Sequence, residues 1–553
     1  MNNFLLNTKK VLAVCMETTA GGRNYSGGLG ALYGDTTRTM DRLGASYIAV
    51  TPLYKNGYVQ QQVTEHGVTD EYPEQNFEEY YEDTRIILEV PLLLRQVKVK
   101  VWRHKTLRNC YGIDSYLPEN GELAPITSNL YGENGFGPYD GEDQRLMQEV
   151  ILGVAAVKLC NVIYYPFDIL HLNEGHGVFA ALYMISEEMR NLGMQGEEDV
   201  FHKAWEKVRA KTVFTTHTPI AAGNKYRMIS RIMGLGANLN FTEQQLREIG
   251  GDDTGEQFGS TTAALRLSKI ANAVALRHQA TSHDLWKKVT NSCPITYIDN
   301  GIDIDFWQDH EIRRAFEEQS YIGLMKAHEK NKLRLIDEVE KRNGIRLNDQ
   351  HIIVGFARRV IAYKRADMIF NDIPRFERLI NDYHLQIIFS GKTHPKDHDS
   401  KRILMRLYEM SQRYPKNVIF LQNYDVEIAG LMTKGCDVWL GNPKIPEEAC
   451  STSGMKAASN GVVNLSTADG WWYRSCRYGV NGWTIGESIS HDRGTDAVYL
   501  YEALEQKVFP AFAQKDVWAH MMLASIYTAM EECSTERMCR DYYAYLYNAP
   551  FVK

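Results

Sequence analysis

The chain has no apolar run approaching the ~20 residues that a bilayer-spanning helix needs, so no membrane association is expected. Lys9-Lys10 are followed only by Val11–Cys15 before Glu17 interrupts, and no secretory signal is expected there. Any Cys-x-x-Cys pair is missing as well: nine cysteines, an odd number, are scattered along 553 residues. Such spacing argues against a zinc ribbon and a disulfide framework and fits a reducing, cytoplasmic compartment. Basic charge is not in excess either. A net charge of -7 argues against a nucleic-acid surface, while leaving room for a local basic pocket. What is there is an ordinary globular composition, 44% hydrophobic and 24% charged, in a chain too long for one core. Two or more domains are expected.

In the first half, Val11–Cys15 reads as a buried strand, Ser26–Gly30 as a glycine turn, the pattern through Leu43 as a helix, and Ser46–Val50 as the next strand. A backbone can approach a phosphate closely at such a junction. Gly-Gly-Leu-Gly is not a full dinucleotide fingerprint and no Walker lysine follows, so a plain turn is the competing reading. Arg85–Leu94 and Val97–Trp102 alternate like paired strands, Pro118–Gly141 reads as long loops, and Gln144–Leu159 as a helix. His171, Glu174 and His176 invite a metal reading, but Gly175 breaks both zinc-protease spacings, and no metal site is expected. A polar pocket wall at a strand end fits these residues better, and His217, after the strand that ends at Thr215, is read the same way.

Ile295–Trp307 ends in a turn at Asn300-Gly301, and the charged stretch 309–345 reads as a helical bridge between domains. From residue 351 the alternation is clean: HIIVGFA strand, Ala366–Asn381 helix, LQIIFS strand, Asp397–Arg413 helix, NVIFL strand, Val426–Lys434 helix, CDVWL strand. That is the pattern of a parallel doubly wound sheet. Arg358-Arg359 and Tyr363-Lys364-Arg365 follow its first strand. Cations crowded at a strand-to-helix turn oppose the helix dipole, and an anion would relieve them.

The chemistry concentrates between Pro446 and Trp472. Paired carboxylates, Glu447 and Glu448, precede the small run Cys450–Gly454 and then Lys456, flanked by Met455, Ala457 and Ala458. Open amides at a helix start make an anion site, and a lysine one turn in serves as a point charge or, desolvated, forms a Schiff base. An Ala-rich surface helix is the alternative. Asn460-Gly461 then turns into another strand, and beyond Trp472 the chain reads as helices Asp496–Val508 and Met521–Tyr547, ending in the aromatic face DYYAYLY.

Read together, STSGMKAASNGVVNLS with DGWW, HLNEGH, TTHTP, the glycine loop and ARRVIAYKRA resemble the short bacterial and archaeal type of α-glucan phosphorylase, in that family's order and over nearly the whole chain. The resemblance implies an α/β, GT-B fold of two doubly wound, Rossmann-like domains facing across a cleft. Domains are expected at 1–308, 309–495 and 496–553, the last helix crossing back to the first domain. It implies retaining phosphorolysis of α-1,4-glucans to glucose 1-phosphate, with α-glucan or maltooligosaccharide and inorganic phosphate as substrates and pyridoxal 5'-phosphate as a Schiff base on Lys456. Arg359 and Lys364 would hold the substrate phosphate, and Arg358, Thr452, Ser453, Trp307 and Tyr424 the cofactor. Gly28, Leu29, Glu174, His176, His217, Asn300, Glu448, Cys450 and Ser451 would line the substrate. A homodimer without allosteric regulation, and without an N-terminal phosphorylation switch, is the expected assembly.

One departure stands out. Where the family has Ala-Ser-Gly, this chain has Ala-Cys450-Ser451, which adds a side chain and restricts φ where amides approach the sugar. Altered sugar specificity or reduced activity is the consequence to test. Two other readings compete: a sugar-nucleotide-dependent retaining GT-B glycosyltransferase, which has no need of Lys456, and a non-catalytic glucan-binding relative.

Overall fold

Val11–Val14 (β1) and Tyr47–Pro52 (β2) are buried at every position and pair in parallel. Strands buried on both faces read as continuous apolar runs, which is why they were visible as such. The computed structural model, describing residues 5–220, 223–487 and 492–551, divides the chain into two units. One comprises the chain up to Tyr58, Tyr72–Ile298 and the segment from Met538; the other comprises Val59–Glu71 and Asp299–Arg537.

The first unit carries a nine-stranded sheet. Its further strands are Tyr81–Leu92 (β3), Arg95–His104 (β4), Cys110–Asp114 (β5), Ile169–Asn173 (β6), Thr212–Thr215 (β7), Ile270–Ala273 (β8) and Ile295–Tyr297 (β9). The order is β9-β8-β7-β6-β1-β2-β5-β4-β3. Pairing is parallel from β9 through β5 and antiparallel for β4 and β3, whose alternating exposure marks a sheet edge wet on one face. From β1 the chain winds outward through β2, then returns to β6 on the other side of β1. The crevice at the carboxyl ends of β1 and β6 is therefore a topological switch point. The second unit repeats this plan. Ile353–Ala357 (β10), Gln386–Ser390 (β11), Val418–Leu421 (β12), Val438–Gly441 (β13), Val463–Ser466 (β14) and Gly482–Thr484 (β15) form an all-parallel sheet, ordered β12-β11-β10-β13-β14-β15. Its switch point lies between β10 and β13. Among the described residues no helix is long and apolar enough to cross a membrane.

Several expectations need correction. The change of unit falls after Ile298 rather than at residue 309. The stretch 309–345 is no solvated bridge: it splits into helices His310–Glu317 and Tyr321–Asn343, and the second buries Leu324, His328, Leu335 and Val339 in its own unit. That stripe sits at helical spacing but is masked in the sequence by the charges on the opposite face. The helix expected from Ala366 begins only at Ile373, where Asp372 caps it and Pro374 sits in its first turn; before it run two short 3-10 turns. Part of the Pro118–Gly141 stretch is likewise 3-10 helix. The single helix expected over Met521–Tyr547 breaks at Cys533, where Ile302 donates to the Cys533 carbonyl and accepts from Thr535 N. Tyr542, Tyr543, Leu546 and Tyr547 pack under β1 and β2 of the first unit.

Candidate active site

At the first unit's switch point a carboxylate that the sequence did not single out takes the centre. Glu17, three residues past β1 and buried, accepts from Ser26 N (2.7 Å), Ser26 Oγ (2.9 Å) and Gly27 N (3.3 Å), and from the Tyr131 hydroxyl. The Arg145 guanidinium lies 4.8 Å over the Tyr131 ring and pairs with Glu149 at 3.1 Å. The glycine loop is thus anchored on an internal anion at its Ser26 and Gly27 amides. Gly28 and Leu29 open the helix Gly28–Arg42, which has no side-chain cap, and a Cβ at Gly28 would meet nothing within 4 Å. Gly30 is different: a Cβ there would stand 2.5 Å from the Tyr25 Cβ, so it serves close packing.

Glu174 follows β6 with φ 68° and ψ 163°, a strained backbone for a residue with a side chain. Its Oε1 accepts from His217 N (2.6 Å) and Thr218 Oγ1 (2.8 Å), tying the end of β6 to the loop after β7; burial pushes its carboxyl up. His176 Nε2 accepts from Met16 N at 3.1 Å. His171 holds Tyr547 and Thr215 through its two ring nitrogens and is a structural residue. Burial lowers His217 to about 3, so its imidazole is neutral, and its buried Nε2 has no hydrogen-bond partner among the described residues. A neutral ring with a free nitrogen suits a hydroxyl, not an acid.

At the second unit's switch point Arg358 leaves β10, 7% exposed. It donates from Nη1 to Ser451 Oγ (3.1 Å) and from Nη2 to the Leu440 carbonyl (3.1 Å), while its buried Nε has no hydrogen-bond partner among the described residues. Lys364 pairs with Glu448 Oε2, which also stands 3.7 Å from Arg358 Nη1. Half-buried Arg359 lies within electrostatic range of Lys364. Arg365 does not belong with these cations: its φ of 51° turns it inward, where it donates to the Asn442 (2.8 Å) and Pro443 (3.0 Å) carbonyls and pairs with Asp496. It braces the loop that carries Glu448.

Lys456 lies in the helix Thr452–Ser459, 6% exposed, its Nζ 3.6 Å from the centroid of the Trp307 ring. Trp307 is held at the end of the same helix, where the capping residue Asn460 donates to its carbonyl at 3.0 Å. Thr452 and Ser453 form the first turn, and Ser453 Oγ accepts from Trp439. Tyr424, in range of Arg358, has its phenol pushed up to about 12 by burial. Asn300 is buried, and its Oδ1 has no hydrogen-bond partner among the described residues. Cys450 lies against the Asn300 backbone, and burial pushes its thiol well up, which rules it out as a nucleophile.

Ser451 sits at φ 69°, ψ 52°, the left-handed region where glycine is at ease. Ser451→Gly is therefore expected to be more stable than Ser451→Ala by about 1–2 kcal/mol, since both lose the hydroxyl and only alanine keeps the strain. Urea unfolding of both variants measures this; equal midpoints would remove the strain argument.

Lys364 is lowered to about 8, because burial outweighs the opposing pull of Glu448 and adds to the repulsion of Arg358 and Arg359. As pH rises through about 8 the ammonium loses its proton, and the pocket loses a cation. Affinity for sulfate, whose charge is constant over this range, should fall about tenfold per pH unit above that point. Lys364→Arg should abolish the alkaline limb, and an unchanged limb in that variant would assign the titration elsewhere.

Two doubly wound units, each with polar side chains gathered at the switch point of its sheet, define a GT-B-type architecture. The carbohydrate phosphorylase family model matches residues 260–472 and the starch synthase catalytic domain model residues 10–278. The chain is 33% identical to the maltodextrin phosphorylase of Thermococcus litoralis over 94% of its length and 68% of that protein's. It is 32% identical to the glycogen phosphorylase of Aquifex aeolicus over 94% of its length and 83% of that protein's. The glycogen synthase of Cellvibrio japonicus matches at 29% over only 31% of the chain and 32% of that protein. The chain belongs to the α-glucan phosphorylase family.

Proposed function

We propose that the chain is a cytoplasmic, pyridoxal-phosphate-dependent phosphorylase that cleaves α-1,4-glucans with inorganic phosphate and releases glucose 1-phosphate with retention. The observation that carries this reading is the Lys456 amine, buried over Trp307 in a helix whose uncapped N-terminus adjoins Arg358 and the Lys364–Glu448 pair. The residues suit pyridoxal phosphate: a desolvated amine for its aldehyde, an aromatic face, and an arginine whose buried Nε awaits an acceptor. When bound, that group supplies a phosphate able to exchange protons with the substrate phosphate. The chain's own residues would do the rest. Lys456 would carry the cofactor, with Arg358, Thr452, Ser453, Trp307 and Tyr424 around it. Lys364 and Arg359 would hold inorganic phosphate, so that cations stand where charge gathers as the glycosidic bond breaks. His217 Nε2 and Asn300 Oδ1, both unpartnered, would orient glucosyl hydroxyls, and Glu174 would fix His217 through its backbone. Under this reading Gly28, Leu29 and His176 of the first unit would contact substrate, as would Glu448, Cys450 and Ser451 of the second.

Incubation of the purified chain with maltodextrin and phosphate tests the reading. Release of glucose 1-phosphate, together with a pyridoxyl adduct on the Lys456 peptide after borohydride reduction, is the expected result. Turnover only with a sugar nucleotide would transfer the chain to the synthase reading, and neither activity nor adduct would leave a glucan-binding protein.

A further inference from the structure

Lys364 and Glu448, which the proposed function assigns to different substrates, are hydrogen-bonded to each other, and Arg358 Nη1 stands 3.7 Å from the same carboxylate oxygen. The pair is well shielded: the side chains of Lys364, Glu448 and Arg358 are 12%, 5% and 7% exposed. Glu448 thus stands as the anion of this cationic pocket. We propose that Glu448 is an internal counter-ion, and that its exchange between Lys364 and glucan hydroxyls makes phosphate and glucan each strengthen the other's binding. The inference rests on the phosphorolysis reading and adds to it a coupling between the two substrates.

The argument is electrostatic. A buried carboxylate accepts hydrogen bonds only, and losing its donor costs more than a neutral group would lose. An incoming dianion and Glu448 compete for one ammonium, and two like charges around one cation repel. Glu448 therefore swings away when phosphate arrives. It cannot leave for water by moving its backbone, because Glu448 N is held by Asp469 Oδ2 at 3.0 Å, and Glu447 N by the Lys444 carbonyl at 2.8 Å. Arg365 pins the start of the same loop at the carbonyls of Asn442 and Pro443. Only side-chain rotation is left, and it strands an acceptor inside a polar site. A polyol is the ligand class that supplies hydroxyl donors there. By reciprocity, a glucan that draws Glu448 off Lys364 uncovers the cation for phosphate by the same factor.

Sulfate, a dianion that does not phosphorolyse, allows the coupling to be read without turnover. Titration calorimetry of the holoprotein with maltopentaose, at matched ionic strength, should show affinity rising about tenfold when sulfate is saturating. In Glu448→Gln, sulfate alone should bind at least about threefold more tightly than to the parent chain, because its competitor is gone. Maltopentaose should bind that variant more weakly, and the effect of sulfate on it should shrink below about twofold. Retained pyridoxal absorbance shows that the variant is folded and loaded. If sulfate binds Glu448→Gln no more tightly than the parent, including binding neither, or if full coupling persists in the variant, the inference is overturned. Glucose 1-phosphate release by the parent chain is scored separately: its absence sinks the phosphorolysis reading, whereas its presence with unchanged coupling sinks the counter-ion alone.

Discussion

Lys456→Ala is expected to lower glucose 1-phosphate release from maltodextrin by on the order of 10^4-fold or more, the scale at which losing the group that anchors the chemistry is felt. The same variant should lack the pyridoxal absorbance and the reducible adduct that the proposed function expects of the parent chain. The cause is local. The amine is 6% exposed and stands 3.6 Å from the Trp307 ring centroid, so water is excluded and the amine is oriented before any ligand arrives. Lys456→Arg separates two explanations, because a guanidinium keeps the charge over the indole but cannot carry an aldehyde covalently. If arginine restored activity, the site would need only a cation and the cofactor assignment would fail. Trimming the side chain opens space beside a buried tryptophan, but Asn460 still holds the Trp307 carbonyl, so the fold should survive.

Most of the parallel strands were legible because they are short apolar runs buried on both faces and closed by glycine, asparagine or a charge, as at Ile353–Ala357 and Val438–Gly441. Candidate site residues that follow such strands, Glu174, His217 and Arg358 among them, could be placed at a strand end from that position alone. The pairings could not. Glu17 was visible only as the charge that ends an apolar run, and its partners are amides at Ser26 and Gly27 and a hydroxyl on Tyr131. A carboxylate set between a buried strand and a glycine loop is the signal that would have found it. Arg365 looks in sequence like one more cation of the phosphate group; only its left-handed backbone turns it towards the 442–443 carbonyls. Lys364 and Glu448, 84 positions apart, were assigned to separate ligands, because periodicity says nothing about which buried charges meet. Helix breaks were hidden for a related reason. The interruption at Cys533 is satisfied by Ile302, a partner no local window contains.

The largest loss of stability is expected from Asp437→Ala, at about 3–5 kcal/mol, the usual cost of leaving a buried charge without its partner. Asp437 is 2% exposed beside the start of β13 and accepts from Ile353 N (2.7 Å), Lys332 Nζ (2.8 Å) and His328 Nε2 (3.0 Å). Without it, Lys332, itself 5% exposed, keeps the His351 carbonyl and the Phe512 ring but no anion, and the Ile353 amide loses its acceptor. Burial alone would raise this carboxyl; Lys332 and then His328 outweigh it and hold it below its ordinary range. A carboxyl lowered on folding contributes stability above its unfolded value of about 3.9, and loses it as pH falls through the folded value. Urea unfolding should therefore separate parent and variant fully at pH 7, with the gap closing only below about pH 4. A double change, Lys332→Met with Asp437→Leu, should recover most of the loss, since apolar residues of similar volume replace a buried pair at little cost. If the double variant is as unstable as the single, the network contributes through hydrogen bonds to the Ile353 backbone and not through the pairing of charges. Because β10 and β13 end in Arg358 and in the loop bearing Glu448, the single variant should also bind sulfate more weakly than the double one.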